Sequence, residues 1–141
     1  MGEQGRETRA PFGIAEVTGR SMYPTLRHGD QLLVHHGAEL RPGDVAVLRH
    51  PLQQDLLIVK RLAEHRAGAW WVLGDNPDGE VVDSRAFGPV PDELVLARVR
   101  ARYRPMLPGR RRTPLYVASW AVSALRPVST DRSVSRRLRA R

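Results

Sequence analysis

The chain has 141 residues, 23 basic against 15 acidic for a formal charge of +8, and no cysteine. The missing cysteine excludes a thiol nucleophile, a cysteine-ligated zinc site and any disulfide. No stretch approaches the roughly 20 apolar residues that a membrane-crossing helix needs, and the polar residues 1–10 have the character of neither a signal peptide nor an anchor.

Residues 1–12 are expected to form a flexible amino terminus, with the strand signal itself running over 12–17. After it, Gly19 relieves the backbone at a bend and Pro24 suits the first turn of a short helix. Ser21 then sits at the mouth of a tight turn where backbone N–H groups are free to stabilise developing negative charge. A serine in such a place is either a nucleophile or a plain turn residue bonding to its own backbone. Strands follow at 31–36, 44–49, 56–63, 69–73 and 94–104, each short, apolar or β-branched, and bounded by Gly, Pro or Asp, with a turn at 41–44. Of the adjacent Trp70 and Trp71, one faces the core and the other a surface. The last strand alternates, placing Val95, Ala97, Val99, Ala101 and Tyr103 on a core face and its arginines on a wet one.

Of the 23 basic residues, 22 are arginine, and Lys60 is the only lysine. Arginine keeps its proton in a protein, whereas a desolvated lysine can lose its own and serve as a general base. Lys60 lies in the apolar run 56–62, where it is either partly buried or carried on the solvent face of an edge strand. Five histidines are present, but none sits in a motif that would position a Ser-His-Asp triad, and the neighbours His35 and His36 point to opposite faces. No metal and no cofactor is expected.

Four blocks in order resemble the signal peptidase I family of Ser-Lys proteases. They are Gly19-Arg20-Ser21-Met22-Tyr23-Pro24-Thr25-Leu26; Gly29-Asp30-Gln31-Leu32-Leu33-Val34 with Arg41-Pro42-Gly43-Asp44-Val45-Ala46-Val47; Val59-Lys60-Arg61; and Gly74-Asp75-Asn76 followed by Asp83-Ser84-Arg85-Ala86-Phe87-Gly88-Pro89-Val90. The resemblance implies an all-β fold of the signal peptidase and LexA type, with one catalytic domain over 13–104. It makes Ser21 the nucleophile and Lys60 the general base. Gly19, Met22, Pro24, Gly74, Asp75, Asn76, Asp83, Ser84 and Arg85 become the scaffold of the site. Two departures stand out. Val81 replaces a hydroxyl residue that in the family helps orient the lysine, and Gly19 replaces a hydroxyl that in many members contributes to the oxyanion hole, which leaves more of that task to the Ser21 N–H. The dozen or so residues between Lys60 and Gly74 leave no room for the cap domain of the larger members.

Residues 105–141 are expected to be a basic extension, with a short helix at 115–125 and disorder beyond. Residues 104–141 hold ten Arg and one Asp, while residues 1–103 hold 13 basic and 14 acidic residues, so the charge belongs to the tail. Without an aromatic-basic platform or a recognition-helix pattern it does not point to nucleic acid. Small size, no anchor, no cap domain and the arginine bias resemble the proteases that mature nickel-type superoxide dismutase. That resemblance implies a dismutase precursor as substrate, trimmed of an amino-terminal extension in the cytoplasm. One alternative is signal peptide cleavage, with the tail in peripheral contact with the membrane. A LexA-like self-cleaving regulator fits less well, since too few residues precede the first strand for a DNA-binding domain. A catalytically dead binding module would account for Val81.

Overall fold

Strand β7 (Val95–Tyr103) is the axis about which the sheet is built in the computed structural model, which describes residues 11–79, 81–106 and 114–128. All pairings are antiparallel, and the strand order is β1-β2-β7-β3-β4-β5-β6, with β8 also on β7. The strands are β1 (Phe12–Glu16), β2 (Gln31–His36), β3 (Val45–His50), β4 (Gln53–Arg66), β5 (Ala69–Leu73), β6 (Val90–Pro91) and β8 (Leu125–Pro127). Among the described residues two α-helices, α1 (Ser84–Phe87) and α2 (Pro114–Ala124), and a 3-10 turn (Asp92–Leu94) lie between them. The fold is all-β, as the residue pattern predicts. Edge strand β1 begins at Phe12, and the Pro11 carbonyl accepts the His36 N–H, so ordered pairing starts at residue 11. Residues 1–10 lie outside the described residues.

The core has two halves divided by the sheet. Val45 and Val47 of β3 pack with Val17, Met22, Leu26, Leu32, Val34, Ala97 and Val99. Ala46 and Leu48 point the other way, to Leu62, Trp70, Val72, Val90 and Leu94. Strand β3 is therefore buried on both faces, which explains its unbroken apolar run. Trp70 is the core tryptophan and Trp71 is half-buried.

The expected alternation along β7 fails at its far end. Leu33 pairs with Ala101 but Val34 pairs with Val99, so Arg100 is an extra residue, a bulge that flips every side chain beyond it. Arg102 is consequently buried at 9% exposure, while Tyr103 stands 40% exposed, the reverse of the sequence pattern. The Arg102 guanidinium donates to the Ser123 carbonyl, and the Arg104 side chain holds the buried Asp30 carboxylate through Nε (2.9 Å) and a terminal nitrogen (3.0 Å). Strand β8 occupies the stretch of the β7 edge that β3 leaves open, and Val128 beyond it packs on the first core half. Residues 124–128 are thus joined to the sheet, through the Ala124 carbonyl, β8 and Val128. Residues 129–141, with the expected disorder, lie outside the described residues.

Candidate active site

The chain leaves β1, turns through residues 17–30 and enters β2. That turn is closed at its base by Val17 N–H to the Asp30 carbonyl (2.8 Å) and Gly29 N–H to the Val17 carbonyl (2.8 Å). Gly19 has φ of +84°, a conformation that side chains disfavour, and its N–H donates to His28 Nδ1 (3.1 Å). Ser21 follows, half-buried, and Met22 beside it is 2% exposed and rooted in the core. The segment 21–25 is a succession of turns. The expected helix at Pro24 does not form: the Leu26 N–H closes one turn onto the Met22 carbonyl (2.9 Å), but the Arg27 N–H goes to the Asp30 side chain (2.9 Å), so the spiral ends there. Pro24 is exposed and follows a cis peptide bond.

Lys60, on β4, is 3% exposed although Leu56 and Leu57 of the same strand are 43% and 54% exposed. Burial of the ammonium is the largest influence on its pKa and lowers it below the usual lysine value. Asp83 works against that shift, Arg85 adds to it, and Asp75 again opposes it. Among the described residues no hydrogen bond or ion pair holds the Lys60 ammonium, and none holds the Ser21 hydroxyl. Both side chains line one groove of about 570 Å³, with Glu16, Val17, Ile58 and Val82 among its other walls.

The segment Gly74-Asp75-Asn76, after β5, connects all of the parts. Asn76 donates its N–H to the Ser21 carbonyl (3.0 Å) and its side-chain amide to the Arg20 carbonyl (3.0 Å). The N–H groups of Arg20, Ser21 and Met22 have no acceptor among the described residues. Asp75 accepts two hydrogen bonds from Arg61 (2.8 and 2.7 Å) and one from the Thr25 hydroxyl, and Arg61 also donates to the Gly43 carbonyl (2.7 Å). The serine turn and the lysine strand are thereby fastened to the same carboxylate. Gly74 is needed for closeness: a Cβ there would stand 2.7 Å from the Ser21 carbonyl oxygen and 3.8 Å from Lys60 Nζ.

Gly74 N–H also donates to the Asp83 carboxylate (3.0 Å), which caps α1 by accepting from Arg85 N–H (3.0 Å) and pairs with the Arg85 guanidinium (3.1 and 2.8 Å). Burial pushes the Asp83 carboxyl up, but the Arg85 side chain and the two backbone donors together hold it below the usual carboxylate value. Asp83 is therefore a fixed anion near the lysine. Ser84 is buried and accepts the Val72 N–H (2.8 Å), which docks α1 against β5. All the site residues singled out in the sequence converge except Pro24, which only shapes the outer turn. Thr25 and Arg61 stand inside the motif blocks but carry no local signal of a role. Their partner Asp75 is remote in sequence, so pairing them needs the fold. Val81 is 48% exposed.

A hydroxyl, a buried amine whose pKa burial lowers and a set of N–H groups without an acceptor among the described residues can together perform acyl transfer. Residues 6–87 match the family described as Peptidase S24-like. The chain belongs to that family. This S24-like peptidase is also similar to two curated proteins, each named mitochondrial inner membrane protease subunit 1. The one from Xenopus tropicalis is 32% identical over 120 residues, covering 66% of this chain and 71% of the relative. The one from Schizosaccharomyces pombe is 30% identical over 118 residues, covering 67% and 74%. The chain is thus a peptidase with signal peptidase-like relatives. Among the described residues no helix is long and apolar enough to cross a membrane.

Proposed function

We propose that the protein is a serine endopeptidase in which Ser21 and Lys60 act as a dyad, removing an amino-terminal extension from a precursor protein. The observation that carries the reading is the burial of the only lysine in the groove that Ser21 also lines. In the neutral form Lys60 takes the Ser21 Oγ proton as the oxygen attacks the scissile carbonyl. The unoccupied Ser21 N–H receives the resulting oxyanion. Lys60 then returns the proton to the leaving amine, giving an acyl-enzyme. A water, activated by the same amine, hydrolyses the ester and regenerates Ser21. The Ser21-Lys60 hydrogen bond, open here, closes once substrate is bound.

For the substrate, the sequence resemblance favours the precursor of nickel-type superoxide dismutase, met in the cytoplasm. That both relatives are inner membrane protease subunits favours a second reading, cleavage of precursors at a membrane. The groove, lined by residues next to β1 and along β4, suits an extended segment bound by strand addition in either case. The experiment mixes purified enzyme with purified dismutase precursor, without lipid, and sequences the new amino terminus. A single cut that exposes the metal-binding terminus of the dismutase supports the first reading. Cleavage only of membrane-inserted precursors moves the function to the second, and an active Ser21→Ala protein would overturn the dyad in both.

A further inference from the structure

A second cavity, of about 360 Å³, shares no wall with the Ser21 groove. It is lined by His35, Glu39, Arg41, Asp44, Arg98 and Arg100, so its surface is almost wholly polar or charged. Arg100 is the extra residue of the β7 bulge, and bulges recur where a strand has to re-aim a side chain. Among the described residues its guanidinium has no carboxylate within ion-pair distance; it donates to His35 Nδ1 (3.0 Å). An arginine cannot accept, so His35 accepts at that nitrogen and is neutral there. Phe12 stacks on the same imidazole, with ring centroids 4.6 Å apart, and holds its orientation.

The carboxylates of this cavity do not balance its arginines. The Asp44 side chain is 1% exposed, accepts the Arg41 N–H (2.9 Å) and lies 3.5 Å from the Arg98 guanidinium, which fixes Arg98 as one wall. Glu39 meets Arg41 only at 3.6 Å, with the two side chains 79% and 60% exposed, a solvated pair of little worth that either member can leave. Three guanidinium groups against two carboxylates, with His35 neutral, leave the cavity one positive charge in excess. Each guanidinium is a planar fork of N–H donors matched to paired oxygens. A carboxylate brings two oxygens and a single charge, whereas a phosphate group brings three and about twice the charge, which suits forks arriving from Arg41, Arg98 and Arg100 together. We propose that this cavity is a phosphate site, taking inorganic phosphate or the phosphate group of a small monoester, independently of the Ser21 and Lys60 chemistry. Arg41 and Arg100 grip the anion, and Arg98, held by Asp44, backs them.

The test is calorimetric titration of the full chain with inorganic phosphate, glycerol 3-phosphate or citrate at matched ionic strength, with melting temperature read on the same samples. Saturable binding of at least one phosphate probe is expected, together with a melting temperature that rises with its concentration. Citrate, more highly charged but built from carboxylates, should bind on the order of tenfold more weakly. Tighter binding of glycerol 3-phosphate assigns the site to monoesters, and tighter binding of inorganic phosphate to the free ion. Arg100→Gln and Arg41→Gln should each weaken binding on the order of tenfold, whereas Arg126→Gln, at an exposed arginine of β8 outside the cavity, should bind like the parent. All three positions are exposed, so without ligand each variant should keep the parent melting temperature. Binding that never saturates, citrate bound as tightly as phosphate, or full affinity in the Arg100→Gln protein would overturn the proposal. So would an equal loss in Arg126→Gln, because affinity would then follow net charge rather than this cavity.

Discussion

Lys60 sets the pH behaviour of the molecule, because its environment favours loss of the proton. Burial lowers its pKa below the usual lysine value of 10.5, and a base is active only when neutral, so single-turnover cleavage should rise with pH along one ionisation below that value. A flat profile from pH 6 to 10 would mean that some other group is the base. Stability carries the same sign. Because the folded pKa lies below the unfolded one, the unfolded chain binds the extra proton between the two values, and stability climbs with pH across that window. Lys60→Met removes the buried charge, so by thermal melting the variant should be the more stable protein at pH 6, with the gap closing toward pH 10. It should also be inactive, as should Ser21→Ala, each by on the order of 10⁴-fold or more. Arginine is a poor probe at this position, since a larger, permanently charged group would have to fit beside Gly74.

At the scale of elements, the 74–76 segment decides geometry. Gly74→Ala would press a methyl group to 2.7 Å from the Ser21 carbonyl oxygen, a backbone atom that cannot swing aside. The expected cost is about 1–3 kcal/mol of overpacking, with kcat down about 100-fold if the serine turn moves by 1 Å. Unfolding curves and kinetics on the same preparation check both. Arg85→Ala should be milder than the loss of a buried ion pair. The Arg85 side chain is 52% exposed, and Asp83 keeps the N–H groups of Gly74 and of residue 85. That points to a loss of about 1 kcal/mol, measurable by urea titration, with a larger effect on turnover because Asp83 and Arg85 both influence Lys60. These elements also show what the sequence could reveal. Strands β2 and β5 are legible to the residue because turn signals bound a short apolar run on either side. The full extent of β4 is not, since its first half, with Leu56 and Leu57 exposed, has no core face to impose a pattern. The two-residue β6 and the three-residue β8 carry too few side chains for any period to register. The Arg100 bulge is set by how β2 lies against β7, which no local pattern contains. Ser21, Lys60 and the glycine and aspartate blocks were legible as motifs, whereas the Thr25-Asp75-Arg61 link exists only once β4 and the serine turn are side by side.

For the whole molecule, the tail is joined to the serine turn through one buried carboxylate. Asp30 closes the base of the 17–30 turn, accepts the Arg27 N–H, and is 1% exposed beneath Arg104, whose own N–H reaches the Ala124 carbonyl at the end of α2. Arg104→Ala would withdraw two charge-assisted hydrogen bonds from that carboxylate, a loss of about 1.5–3 kcal/mol. Ending the chain after Met106 leaves Arg104 in place but removes β8 and Val128. The β7 edge at Ala101–Tyr103 then has open N–H and C=O groups, and the first core half loses an apolar neighbour. The truncated protein should melt several degrees lower and aggregate with concentration, while Leu115→Glu, which alters only the exposed side of α2, should melt like the parent. If truncation and the point change both left melting untouched, residues 114–128 would contribute nothing to the domain, and the route from the tail to Asp30 would carry no energy.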